Sequence, residues 1–198
     1  MRVNEIDTPA LVVDLDRMER NIATMARFFA SRPAKLRPHF KTPKCAEVVE
    51  RQLAAGAIGV TCAKLGEAEV AVIAPAASSN PTSCEKSSSG PTSISIRPSN
   101  ISAAGRTANQ LVGAAKLSRL VALAPTLPEL IVAVDSEAQV DALDAALAGS
   151  KARVGVLIEA DIGMHRCGTD SPEETVALAR RIAKSRAAWR GIMGYEGH

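Results

Sequence analysis

Residues 131–158, IVAVDSEAQVDALDAALAGSKARVGVLI, place an apolar run, a helical stripe and a second apolar run in line. Ile131-Val132-Ala133-Val134 shows no polar alternation and reads as a strand buried on both faces. Ser136-Glu137-Ala138-Gln139 reads as a capping box, with Gln139 at the third helical position reaching back to Ser136. The helix behind it buries Val140, Leu143 and Leu147. Val154-Gly155-Val156-Leu157-Ile158 is the strongest strand of the chain. Two buried strands joined through a helix make a parallel β-α-β unit.

The same alternation extends in both directions. Downstream, Ser171-Pro172-Glu173-Glu174 opens a helix with Pro at its first position, and Gly191-Ile192-Met193-Gly194-Tyr195 is a further strand. Upstream, Asn109 to Leu123 reads as helix, Gly59 to Ala63 as a short strand, and Gly66-Glu67-Ala68-Glu69 as a helix start. Pro43 suits the first turn of a helix whose apolar face is Val48, Val49 and Leu53 and which Gly56 ends. Lys35 to Lys41 reads as a short strand, and Ala10 to Asp14 as the first one. Met18, Ile22, Met25 and Phe29 form one stripe of the helix between them. The periodicity fits a doubly wound sheet or a barrel. No Gly-rich phosphate fingerprint follows the first strand, which counts against a dinucleotide fold. Lys41, Lys64, Asp135, Asp161 and Tyr195 fall at or just beyond expected strand ends, where a barrel carries its reactive groups. The expected fold is therefore an α/β barrel of the TIM type.

Composition narrows the function classes. Hydrophobic residues make up 46% of the 198 positions but aromatics only 3%, so the core is built from Ala, Val, Leu and Ile. The net charge of +3 is mild, and the stretch from Ser78 to Arg106, with three basic residues and one acid, supplies most of it. The remainder argues against a nucleic-acid or membrane-surface partner. Cys45, Cys62, Cys84 and Cys167 have no zinc-type spacing and read as free thiols of a cytoplasmic enzyme. No secretory leader and no membrane-length apolar run is legible. Between Ser78 and Arg106, ten Ser and three Pro occupy 29 positions, a composition expected to form a disordered insertion. The alternation calls for a strand in this stretch, and none is legible.

Arg37-Pro38-His39-Phe40-Lys41-Thr42 puts a lysine at the mouth of an early strand, where an enzyme would anchor a carbonyl cofactor as an imine. Pyridoxal phosphate is the cofactor to expect. Three further motifs follow: Thr61-Cys62-Ala63-Lys64-Leu65-Gly66-Glu67-Ala68-Glu69, Asp161-Ile162-Gly163-Met164-His165-Arg166-Cys167-Gly168 and Gly194-Tyr195-Glu196-Gly197-His198. Together the four resemble the D-threonine aldolase and D-serine dehydratase-like family, fold-type III pyridoxal-phosphate enzymes related to the N-terminal barrel of alanine racemases. The resemblance covers nearly the whole chain outside roughly residues 75–107.

The resemblance implies roles. Lys41 matches the Schiff-base lysine, and Arg37 and Lys44 could lower its pKa by their charge. Arg166 matches the arginine beside the cofactor's phenolic oxygen, unless it merely pairs with Asp161 or Asp170. His39 would orient Lys41 or contact substrate as a second catalytic group. Tyr195 would line the pocket, and Asn109 and Gln110 resemble a polar pair that touches the cofactor. Lys64 also ends a strand but lacks the flanking motif, and its position alone reads as a pocket-edge or structural charge. The implied reaction is retro-aldol cleavage of a D-β-hydroxy amino acid to glycine and an aldehyde. A D-serine dehydratase, a racemase of the same fold, a barrel that binds the cofactor without turnover, or a non-catalytic scaffold with the Ser-rich stretch as a tether are the alternatives.

The resemblance also implies a homodimer and a divalent metal whose ligands lie in a C-terminal β domain outside this chain. Residues 1–198 are accordingly expected to form an incomplete (β/α)8 barrel of the alanine racemase N-terminal kind, interrupted by the insertion at 78–106. The chain is expected to resemble a truncated, mis-spliced or frame-shifted product.

Overall fold

Parallel strands standing side by side in chain order organise the molecule. The computed structural model describes residues 5–73, 105–107, 109–127 and 129–197. Strands β1 (Val60–Cys62), β2 (Gly105–Thr107), β3 (Ile131–Val134), β4 (Gly155–Ala160) and β5 (Ala188–Gly194) form one sheet in the order β1-β2-β3-β4-β5. Every neighbouring pair is parallel. An order that never reverses, with crossovers of one hand, sends every connecting helix to the same face. That is the progression of a barrel, whereas a doubly wound sheet reverses at a switch point.

The helices are α1 (Leu15–Ala30), α2 (Ala46–Ala54), α3 (Leu65–Ile73), α4 (Ala114–Leu123), α5 (Glu137–Leu147) and α6 (Pro172–Ile182). Val132, Val134, Val156 and Ile158 meet Leu117, Leu120, Val140, Leu143, Leu147, Leu178 and Ile182 in one buried cluster between strands and helices. Each such leucine or isoleucine contributes about 1.5–3 kcal/mol by leaving water. A smaller cluster joins Phe40, Val49, Val60, Cys62, Ala68 and Ala71 around β1. Alternation along each strand turns Ala133, Leu157 and Glu159 to the other face.

Several local expectations change. The apolar run Ala10–Asp14 pairs with no strand among the described residues: Leu11 stands 96% exposed, and Asp14 instead caps α1 by accepting from the Arg17 N–H. Lys35–Lys41 is not a strand. Only His39 bridges to Thr61, and the chain turns directly after Phe40, where the Lys44 N–H closes back on the Phe40 carbonyl at 2.9 Å. Pro38 has no N–H to give a ladder, so its carbonyl alone takes part, accepting from Thr61. The strand missing from the alternation exists as β2, at the end of the stretch expected to lack one. Its residues Gly-Arg-Thr have no apolar run, and it is a strand because β1 and β3 pair with it on both sides. The remainder of the expected disordered insertion, residues 78–104, lies outside the described residues. Helix α4 begins at Ala114 rather than Asn109, because Gly113, at φ +100°, breaks the helical path.

The two cap motifs share one departure from expectation, a side chain that reaches one residue beyond the cap, and differ in the cap itself. Ser171 accepts from the Glu174 N–H, while the Glu174 carboxylate reaches past the cap to the Asp170 N–H at 2.9 Å. Gln139 likewise reaches the Asp135 N–H at 2.9 Å, and Ser136 makes no side-chain cap bond. This Gln139 contact fixes the backbone where Asp135 leaves β3.

Candidate functional site

The C-terminal edge of the sheet gathers the candidate residues from both ends of the chain. At the β1 side, His39 bridges to Thr61 and is followed by the exposed turn that carries Lys41. The Lys41 N–H donates to His39 Nδ1 at 3.1 Å, so that nitrogen is an acceptor and a neutral ring carries its proton on Nε2. Burial, followed by the Lys41 charge, holds the His39 pKa below its ordinary value against a weaker pull from Glu67. The Lys41 amine makes no hydrogen bond or ion pair among the described residues. Beside it opens a groove of about 700 Å3 lined by Phe40, Lys44, Lys64, Glu67, Asn109 and Gln110.

Across the edge, the loop after β4 forms a tight clasp. Asp161 Oδ1 accepts from the Gly163 and His165 N–H groups, at 2.9 and 3.0 Å, and Oδ2 contacts the His165 ring. These backbone donors, first among the causes, hold the Asp161 carboxyl below its usual pKa. Asp161 is thereby occupied with His165, and Arg166 is not its partner. The Arg166 guanidinium lies over the Tyr195 ring, 5.1 Å from its centroid. Cys167 beside it, then Glu159 and Tyr195, raise the Arg166 pKa, which places the guanidinium within electrostatic reach of Glu159. Glu159, Asp161, Met164, Arg166, Cys167 and Tyr195 line one crevice.

Between the two sides lies a polar cluster only partly visible in the sequence. Gln110 Nε2 donates to Asp135 Oδ2 at 3.0 Å and to Glu159 Oε2 at 2.7 Å. Glu159 is 3% exposed and also accepts from the Cys167 thiol at 3.2 Å. Asp135 Oδ2 also accepts from the Gly168 N–H at 3.1 Å. The structure thus brings Gln110, Asp135, Glu159 and Arg166 together, keeps Lys41 with His39, and leaves Asn109 exposed at the groove. Sequence reasoning missed Glu159. The signal was available: an acid continuing the apolar strand Val154–Ile158 is a buried charge that requires partners. Among the described residues, no group of three or more His, Cys, Asp or Glu could hold a metal ion, and no helix is long and apolar enough to cross a membrane.

A family model described as alanine racemase, N-terminal domain, matches residues 13–198. D-threonine aldolase from Arthrobacter sp is 32% identical over 193 residues, covering 97% of this chain and 44% of the relative. 3-Hydroxy-D-aspartate aldolase from Paracoccus denitrificans is 29% identical over 199 residues, covering 100% of this chain and 45% of that protein. The crystal structure of D-threonine aldolase from Filomicrobium marinum superposes with a TM-score of 0.80 at 33% identity, over 98% of this chain and 46% of that one. The chain thus spans a little under half the length of these relatives.

Proposed function

Because the chain belongs to the alanine racemase N-terminal domain family, we propose that it forms the pyridoxal-phosphate-anchoring part of a lyase for D-configured β-hydroxy amino acids. The observation that carries this reading is the Lys41 amine, without a hydrogen bond or ion pair among the described residues, on the edge that also holds the Arg166–Tyr195 pair. The donor set fits the cofactor. A free amine can take an aldehyde, and a planar guanidinium held over an aromatic ring can take a phenolate oxygen. Once bound, the cofactor would supply a ring that accepts electrons from the substrate's Cα.

The chain's own residues provide the surroundings. Lys41 offers the amine from a turn that His39 closes through the Lys41 N–H. His39 stays neutral and presents an Nε2–H donor, so it acts by orientation and donation rather than as a cation. Arg166 supplies a fixed positive charge on the opposite side, and Tyr195 sets its plane. Asn109, Lys44 and Lys64 border the groove through which a substrate carboxylate would arrive. Aldol cleavage is the proposed reaction, since all three of the compared relatives carry aldolase names.

The test adds pyridoxal phosphate to the purified chain, fixes any adduct with borohydride and maps the modified peptide by mass. A cofactor-sized adduct on Lys41, absent in Lys41→Arg, is expected. Scattered labelling, or none, refutes the reading. Release of glycine from D-threonine then tests the lyase step separately.

A further inference from the structure

Three successive strand ends meet on one amide. The Gln110 side chain comes from the loop after β2, Asp135 stands just beyond β3, and Glu159 lies in β4. Gln110 Nε2 has two protons and two acceptors, one on each carboxylate. Each carboxylate in turn takes hold of the segment that follows Arg166. Glu159 Oε1 accepts from the Cys167 thiol, and Asp135 Oδ2 accepts from the Gly168 N–H. Gly168 has no room to adjust: at φ +108°, a Cβ there would meet the Asp161 nitrogen at 2.5 Å.

Two anionic carboxylates so close together, one of them 3% exposed, repel each other unless a shared donor lies between them. A lysine would add charge and a leucine would add no donor, whereas a glutamine amide supplies two donors and stays neutral. We propose that Gln110 is a positioning residue: it clamps Asp135 and Glu159 together, and through Gly168 and Cys167 it fixes Arg166 over Tyr195. This role rests on the cofactor reading above only for its consequence, since the clamp itself is a property of the apoprotein. It also differs from the direct cofactor contact that the family resemblance implies for Gln110.

The experiment compares the wild-type chain with Gln110→Met, which keeps the length but has no donor, and with the double variant Gln110→Met/Glu159→Gln. In the double variant the like-charge contact is gone, and the amide oxygen at position 159 can still accept from Cys167. Backbone hydrogen exchange is read at Gly168, with Gly163 as the internal control because Asp161 alone holds it. Loss of a buried hydrogen-bond partner predicts about a tenfold drop in Gly168 protection at pH 8 in Gln110→Met, with Gly163 unchanged and recovery in the double variant. Unchanged Gly168 protection overturns the proposal. So does a loss that the double variant does not restore, which would mean a packing role only.

Cofactor affinity is titrated in the same three proteins. The clamp predicts that it weakens and recovers in parallel with Gly168 protection. Weakened affinity at unchanged protection would assign Gln110 to the cofactor itself and overturn the proposal. Absence of any Lys41 adduct in all three proteins refutes the cofactor reading instead, and the Gly168 measurement still decides the clamp.

Discussion

Replacing Gly168 with alanine should dislodge the arginine turn, and the size of the effect follows from what surrounds Gly168. Gly168 has φ +108°, and an added Cβ would lie 2.5 Å from Asp161 N and 2.7 Å from Ala160 C. Both obstacles are backbone atoms, so no side chain can rotate away. The backbone conformation alone costs an alanine about 1–3 kcal/mol. Relieving the clash requires the turn to move off β4. That endangers the Gly168–Asp135 bond and the Asp161 N–H to Thr169 O bond, each contributing about 1 kcal/mol. The expected loss is therefore about 3–5 kcal/mol. Gly149→Ala is the control: at φ +75° with nothing within 4 Å of the new Cβ, it should cost only about 1–2 kcal/mol. Urea unfolding followed by far-ultraviolet circular dichroism measures both variants. If Gly168→Ala falls within about 1 kcal/mol of Gly149→Ala, the tight packing of the turn against β4 is refuted.

Three further outcomes follow from buried or titrating groups. Thr107 is fully buried, in strand register with Cys62 and Val132, and its hydroxyl has no hydrogen-bond partner among the described residues, so Thr107→Val should raise stability by about 1 kcal/mol in the same urea assay; a loss would mean that the hydroxyl has a partner. Burial pushes the Cys62 thiol up to about 12, so iodoacetamide at pH 8 should leave it unmodified in the folded chain and label it only after denaturation. Mass mapping of folded-state label on Cys62 would contradict the buried β1 cluster. The lowered His39 pKa means that the unfolded chain takes up this proton more readily than the folded one. Its contribution to stability is complete above the ordinary value of 6.5 and is lost as pH falls through the lowered folded value. An NMR titration of the His39 ring with a midpoint at or above 6.5 would refute the half-buried placement beside Lys41.

What was legible in the sequence was whatever depends on near neighbours. Ile131–Val134 is a strand with the bounds its apolar run suggests, and α5 buries the Val140, Leu143 and Leu147 stripe that its spacing specifies. Ser171 caps α6 as the motif requires, a contact confined to one turn. The lysine-bearing motif, the arginine motif and the family they resemble were also readable, because motifs are local.

The tertiary structure decided whatever depends on partners distant in the chain. β2 is three residues without an apolar signal, and only ladders offered from both sides make it a strand. Ala10–Asp14 has the composition of a strand but finds no ladder among the described residues, so composition does not decide the outcome. Whether Gln110 faces a cofactor or two carboxylates depends on residues 25 and 49 positions away. The strand order β1-β2-β3-β4-β5, which separates a barrel progression from a doubly wound sheet, is likewise invisible to periodicity. Periodicity reports which face of an element is apolar; which element lies against that face is set by the three-dimensional packing of the whole chain.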